Sequence, residues 1–289
     1  MDIIEKGSTN KMIRAAKINK RFGSREILKD IDIQIESSEL VTLLGRNGEG
    51  KSTLFRILTG ESRPDGGEVF LNEQSIADLS WRQMAKIRSV LPQDSHISFP
   101  MRVSEIVELG RSSYTSDRER TFRYVDKAMG LTEVDHLRNR FYDELSGGEK
   151  KRVQIARVLC QLESDEPTKG LILLDEPVNS LDVLLQHRIM EILRHLANIG
   201  YAIFVILHDW NLAGIYSDRI LILDNGKIIK DGSPNQVISS DLLENNFGVS
   251  AQIYELGKSR IGGFSESAIK PLIRNNSINI RKSEQNERN

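Results

Sequence analysis

The run Gly45-Arg46-Asn47-Gly48-Glu49-Gly50-Lys51-Ser52-Thr53 constrains this chain more than any other. It fits the pattern G-x-x-x-x-G-K-[ST]. It also stands where that pattern has physical meaning, after the apolar run LVTLL at 40–44 and before the helix-like TLFRIL at 53–58. Glycines let successive backbone N–H groups turn inward onto phosphate oxygens, and the N-terminus of the following helix adds partial positive charge. Lys51 is placed to reach β- and γ-phosphates, and Ser52 suits Mg²⁺. Each part answers to a polyanion. A plain glycine-rich turn is the bland alternative, and the strand-loop-helix context argues against it. Glu49 is out of character, since a carboxylate here opposes phosphate unless its side chain points to solvent.

The flanking patterns describe the rest of the frame. Residues 31–35 (IDIQI) alternate with period two, whereas 170–174 (GLILL) and 201–207 (YAIFVIL) are continuously apolar, as parallel strands covered on both faces are. Between the last two, Leu181, Leu185, Met190, Leu193 and Leu196 recur at helical spacing, so a right-handed strand-helix-strand crossover is expected. RILILD, Asn225-Gly226 and KIIKD read as a hairpin with a type I′ turn. Residues from about 96 to 160 lack strand runs and carry VSEIVELG and YVDKAMG, which predicts a helical insertion.

Composition closes off several function classes. Lys and Arg total 40 against 41 Asp and Glu, a net charge of -1, so no overall basic field draws the chain to nucleic acid or lipid. The single cysteine, Cys160, builds no disulfide framework, and MDIIEKGSTNKMIR has no apolar leader, so a cytosolic location is expected. The longest apolar run, Tyr201 to Leu207, is far short of the roughly 20 residues of a membrane-spanning helix. From Gly257 on, basic side chains outnumber acidic ones; a solvated end is the favoured reading, and contact with anionic lipid the alternative.

Two further motifs carry chemistry. Asp175-Glu176 follow the apolar strand GLILL, at the C-terminal end where open α/β sheets place ligands. Asp175 there can hold Mg²⁺ through water, and Glu176 can deprotonate a water attacking the γ-phosphate. Leu145-Ser146-Gly147-Gly148-Glu149 opens a basic amphipathic helix, KKRVQIARVLCQL, and offers a second phosphate-binding surface. One nucleotide seldom needs two such surfaces from one chain, so this one is expected to close over the nucleotide of a second copy.

With LSGGE, the phosphate loop and LLDEP in this order, the chain resembles the nucleotide-binding subunits of ATP-binding cassette (ABC) transporters over about residues 13–255. The resemblance implies an α/β fold: a P-loop NTPase core, with a RecA-like mixed sheet and N-terminal antiparallel strands, plus an inserted helical subdomain. It implies a leader at 1–12, an ATPase domain at 13–256 (core about 13–95 and 161–256, helical subdomain about 96–160) and a polar tail at 257–289. Phe22 matches the aromatic that stacks on adenine, and residues 45–53 contact ATP. Gln93 in VLPQ matches the glutamine that senses Mg²⁺ and links to the membrane subunits. Ser180-Leu181-Asp182 matches the loop that crosses the dimer interface, and His208 the histidine that contacts the γ-phosphate. The implied catalytic set is Glu176, His208 and Gln93; Mg²⁺ falls to Ser52, Gln93 and Asp175; Ser146 to Glu149 act in trans. Val178 replaces the family's usual threonine, and Glu149 and Lys150 stand where glutamines are common.

LGRNGEGKST, VLPQ followed by VSEIVELGR, and LHDWNLAGIYSDRI resemble importers of iron chelates, heme and vitamin B12. FPMRV at 99–103 and the lengthened link QLESDEPTKG at 161–170 favour the hemin import subunits, with siderophore iron and B12 left open. His96, His136, His187 and His195 form no paired ligand spacing and read as surface or packing residues. The implied partners are a second copy arranged head to tail, two permease subunits and, indirectly, a periplasmic or surface substrate-binding protein, with the chain peripheral at the cytoplasmic face of the inner membrane. No nucleic acid is expected. A soluble cassette ATPase acting on DNA or ribosomes is the rival from another class; a P-loop kinase has no use for LSGGE or His208.

Overall fold

Strands that are apolar on both faces need cover from two sides, and the chain supplies it. The computed structural model describes residues 11–93, 97, 99–114, 117–162, 170–247, 249–256 and 259–269. It opens with β1 (Lys11–Phe22) and β2 (Arg25–Glu36), passes through β3 (Leu40–Leu44) into α1 (Lys51–Leu58), and returns along β4 (Gly66–Leu71) and β5 (Gln74–Ser75). Next come α2 (Trp81–Ile87), β6 (Arg88–Leu91) and three helices, α3 (Val103–Glu108), α4 (Arg118–Leu131) and α5 (Gly147–Leu162). β7 (Leu171–Asp175), α6 (Val183–Asn198), β8 (Ala202–Ile206), α7 (Trp210–Tyr216), β9 (Arg219–Asp224) and β10 (Lys227–Gly232) follow. The last elements are α8 (Pro234–Val237), α9 (Ser240–Phe247), β11 (Val249–Leu256) and β12 (Ser259–Ile269).

A six-stranded sheet in the order β10-β9-β3-β8-β7-β6 forms the centre. It is parallel except for β10, which pairs antiparallel with β9. A second, antiparallel sheet has the order β2-β1-β4-β5. Side chains alternate across the central strands. Leu40, Ile172, Leu174, Ile203 and Val205 face one core with Val103, Ile106, Ile155 and Leu193 of the helices. Val41, Leu43, Leu173, Phe204 and Ile206 face the other, with Leu54 and Phe55 of α1 and Ile18 and Ile33 of the antiparallel sheet. Each such side chain contributes about 1.5–3 kcal/mol through burial.

Among the described residues of 96–160 the regular elements are helices, with one isolated bridge between Arg102 and Phe141, and the apolar residues share a core with the central sheet. The helix expected from Leu181 starts later, at Val183, because the Asp182 side chain accepts a hydrogen bond from the Leu185 amide at 3.0 Å and caps it. Residues expected to be a solvated tail include β12, which pairs with β11; Gly262-Gly263 hide its period in the sequence. His96, residues 1–10 of the leader, residues 163–169 of the lengthened link and residues 270–289 lie outside the described residues.

Register then positions the site. Leu43 and Asp175 both pair with Ile206, and Leu91 pairs with Leu174. The residues that follow these strands, at 45, 93, 176 and 208, therefore emerge together at the carboxyl edge of the sheet.

Candidate active site

Lys51 is the first residue of α1 and is buried. Its ammonium donates to the carbonyls of Gly45 at 2.7 Å and Arg46 at 2.9 Å, which curls the loop around it. Burial holds its pKa below the usual lysine value, against the charges of Glu176, Asp175 and Glu49. Gly48 and Gly50 have φ of 86° and 104°, open to glycine and strained for other residues. Gly45 has no room for a side chain, since a Cβ there lies 2.5 Å from the Leu223 carbonyl oxygen. Ser52 and Thr53, in the first turn of α1, are half-buried. The half-buried Glu49 carboxylate accepts from the main-chain amide of Asn225 at 2.5 Å.

Asp175 and Glu176 differ in environment. Asp175 is 3% exposed, and its Oδ1 has no hydrogen-bond partner among the described residues. Burial, and then the neighbouring Glu176 charge, push its pKa up to about 6. Glu176 takes a positive φ of 52° and is held at several points. Its carboxylate meets His208 Nε2 at 2.5 Å and accepts from Gln93 Nε2 at 3.3 Å and Asn179 Nδ2 at 2.5 Å. Glu176, His208 and Gln93 are thus brought into one hydrogen-bonded cluster. Gly45, Arg46, Asn47, Leu207, His208 and Trp210 line a cleft of about 250 Å³ beside it.

At the other motif, Ser146 and Glu149 form a reciprocal cap on α5. Ser146 N and Oγ each lie 2.8 Å from Glu149 Oε2, and the Glu149 amide returns to Ser146 Oγ at 3.4 Å. These bonds, the Ser146 hydroxyl's first, hold the Glu149 carboxyl below the usual carboxylate range. Gly147 faces open space, whereas Gly148 lies against Ser180 and Leu181. The structure therefore places Gly147-Gly148 and the Ser180-Leu181-Asp182 loop side by side. Immediately after that loop, Val183 and Leu184 are 70% and 64% exposed. Phe22, at the end of β1, is 60% exposed. Val178 is buried in the core, where its second methyl packs in place of threonine's hydroxyl.

Three site residues are not legible in the sequence. Asn179 depends on the positive φ of Glu176, which turns the chain back on itself. Lys151 donates to the Gln93 carbonyl at 3.4 Å across 58 residues. Trp210 follows Asp209, whose side chain caps α7, and that cap is the one local signal for it. His187 is a packing residue, its Nδ1 2.8 Å from the Tyr216 hydroxyl.

A mixed sheet with a phosphate-type loop, a strand-end carboxylate pair and a second glycine surface defines an ATP-binding cassette. The chain matches the ABC transporter family over residues 28–179 and belongs to that family of ATPases. It is 40% identical over 241 residues to the hemin import ATP-binding protein HmuV of Gloeobacter violaceus, a match covering 82% of this chain and 88% of the relative. It is 42% identical over 238 residues to the protein of the same name from Pseudomonas fluorescens, covering 82% and 93%. Among solved structures, it is similar to an ATP-binding cassette captured as a dimer in a post-hydrolysis state with ADP and Pi, at a TM-score of 0.69 and 26% identity, over 77% of this chain and 99% of that one. No helix among the described residues is long and apolar enough to cross a membrane.

Proposed function

We propose that this chain is the ATP-hydrolysing subunit of a hemin importer, working as a head-to-tail pair on two permease subunits. The observation that carries the catalytic part is the Glu176 carboxylate, fixed by His208, Gln93 and Asn179 at the strand end beside the Lys51 loop. Glu176 is the base that takes the proton of the attacking water. His208 and Gln93 orient it and meet the γ-phosphate, and Phe22 stacks on adenine. Gly45 to Thr53 cradle the phosphates.

The residues present fit Mg²⁺. Asp175 Oδ1 is a buried oxygen at the sheet edge with no partner among the described residues, and Ser52, Gln93 and Asp175 would hold the ion. When bound, Mg²⁺ neutralises charge on the β- and γ-phosphates. Few protein ligands are expected for it, since Mg²⁺ at such sites keeps water and phosphate oxygens.

Ser146 to Glu149 close over the partner's nucleotide, and Ser180 to Asp182 cross the interface. The exposed pair Val183 and Leu184 supports an apolar contact there. Phe99, 73% exposed, is the proposed permease contact, whereas Met101 packs against the core. Docking on the permease makes the chain peripheral at the cytoplasmic face, with a substrate-binding protein delivering cargo from outside.

The names of the relatives support hemin as cargo. Deleting the chain is expected to abolish growth on hemin as sole iron source and to leave siderophore-supported growth intact. The reverse pattern would assign it to a siderophore. Co-purification with ribosomes or DNA instead of a permease would remove it from transport altogether.

A further inference from the structure

A carboxylate inside a phosphate-binding loop is an electrostatic liability, and the fold gives Glu49 a task that offsets it. Its Oε2 accepts from the main-chain N–H of Asn225 at 2.5 Å, joining positions 176 residues apart. Asn225 and Gly226 form the turn between β9 and β10, with φ of 48° and 75°. That turn is anchored in its own right. The Gly226 carbonyl accepts from the Lys29 amide at 2.8 Å, and Gly226 packs so closely on the Ile27 backbone that a Cβ there would collide with it. Gly50, one residue after Glu49, lies against Ile27 and Leu28 of the same strand. The loop, the β9–β10 turn and the start of β2 thus form a closed ring of contacts, and β2 begins three residues after Phe22.

We propose that Glu49 is a positioning residue for nucleotide binding: its bond to the Asn225 amide draws the carboxylate away from the phosphate face and pins the loop between Gly48 and Gly50. Glycine has more backbone freedom than any other residue type, so an unpinned loop samples many conformations in which its N–H groups diverge. Fixing it before the nucleotide arrives lowers the ordering cost of binding. The hydrogen bond needs an acceptor oxygen at this reach; a charge is not required.

This inference rests on the ATPase reading of the site. The test compares the wild-type chain with Glu49→Gln, which keeps the acceptor, and Glu49→Ala, which removes it, by titration with ADP·Mg²⁺ and by KM for ATP. Lys51→Ala serves as the binding-defective reference. A hydrogen bond of this kind is worth up to roughly tenfold in binding. Glu49→Ala is expected to weaken ADP·Mg²⁺ and raise KM by about that factor, and Glu49→Gln to restore both to within about twofold of wild type. Equal affinities for Glu49→Ala and wild type overturn the proposal, as does an equal loss in both variants. A wild-type chain that binds ADP·Mg²⁺ no better than Lys51→Ala would instead overturn the ATPase reading itself. If Glu49→Ala lowers Tm, recovery of affinity in Glu49→Gln at matched folded fraction still decides the case.

Discussion

Asp175 and Glu176 adjoin in sequence and sit in different environments, one buried and the other braced by hydrogen bonds. Asp175 has its pKa raised to about 6 from an ordinary 3.8, by burial and then by Glu176. The folded chain therefore holds this proton through a range where the unfolded chain has released it. Its contribution to stability falls as pH rises from about 4 to 6, and the penalty persists above that. Asp175→Asn is expected to raise the Tm of the nucleotide-free protein at pH 7.5 and to leave it nearly unchanged at pH 4, read by thermal melts at both. It is also expected to abolish the gain in ADP affinity that Mg²⁺ gives the wild type. His208→Ala, which frees one oxygen of Glu176, is expected to lower kcat about 100-fold with a small change in KM, the scale of losing a positioned acid-base partner. Glu176 and Lys51 were readable because one follows an apolar strand and the other sits in a fixed glycine spacing, whereas His208 was singled out only through the family resemblance. Asn179 and Lys151 were not, because their partners depend on a backbone turn at φ of 52° and on a contact between distant segments.

Elements made of continuous apolar residues were the most legible. β3, β7 and β8 are buried at every position, as their continuous apolar runs predict for strands covered on both faces. Phe204, wholly buried in the centre of β8, is expected to cost about 3–5 kcal/mol when replaced by Ala, measured by denaturant unfolding. The long strands β1 and β2 were harder, since bulges shift their register at several points and break the period-two signal. The start of α5 shows how a departure from the family pattern is absorbed. Glu149 is the N3 partner of Ser146 in a capping box, a position that accepts glutamine equally well. Glu149→Gln is therefore expected to melt within about 1 °C of wild type, and Glu149→Ala to lose about 1 kcal/mol, or roughly 2 °C in Tm for a chain of this size.

On the scale of the whole molecule, the two candidate phosphate-binding surfaces belong to different parts of one chain. The loop around Lys51 sits at the carboxyl edge of the central sheet, and the hydrogen bonds of Ser146 and Glu149 run to each other and within α5. Gly147 faces outward, beside a loop followed by two exposed apolar side chains. The proposed head-to-tail pair would satisfy all of these at once: a second copy would bring its glycine surface to this chain's nucleotide and cover Val183 and Leu184. The near-neutral net charge fits a protein whose anion binding is confined to these two small surfaces. On the proposed reading, ATP binding closes the pair, and hydrolysis, by removing the γ-phosphate contacts, reopens it. The most direct test is size-exclusion chromatography and ATP turnover of Glu176→Gln with ATP·Mg²⁺. The expected result is a stable dimer holding unhydrolysed ATP, with the wild type returning to monomer as ATP is consumed; turnover at the wild-type rate, or a monomer that binds ATP without pairing, would contradict it.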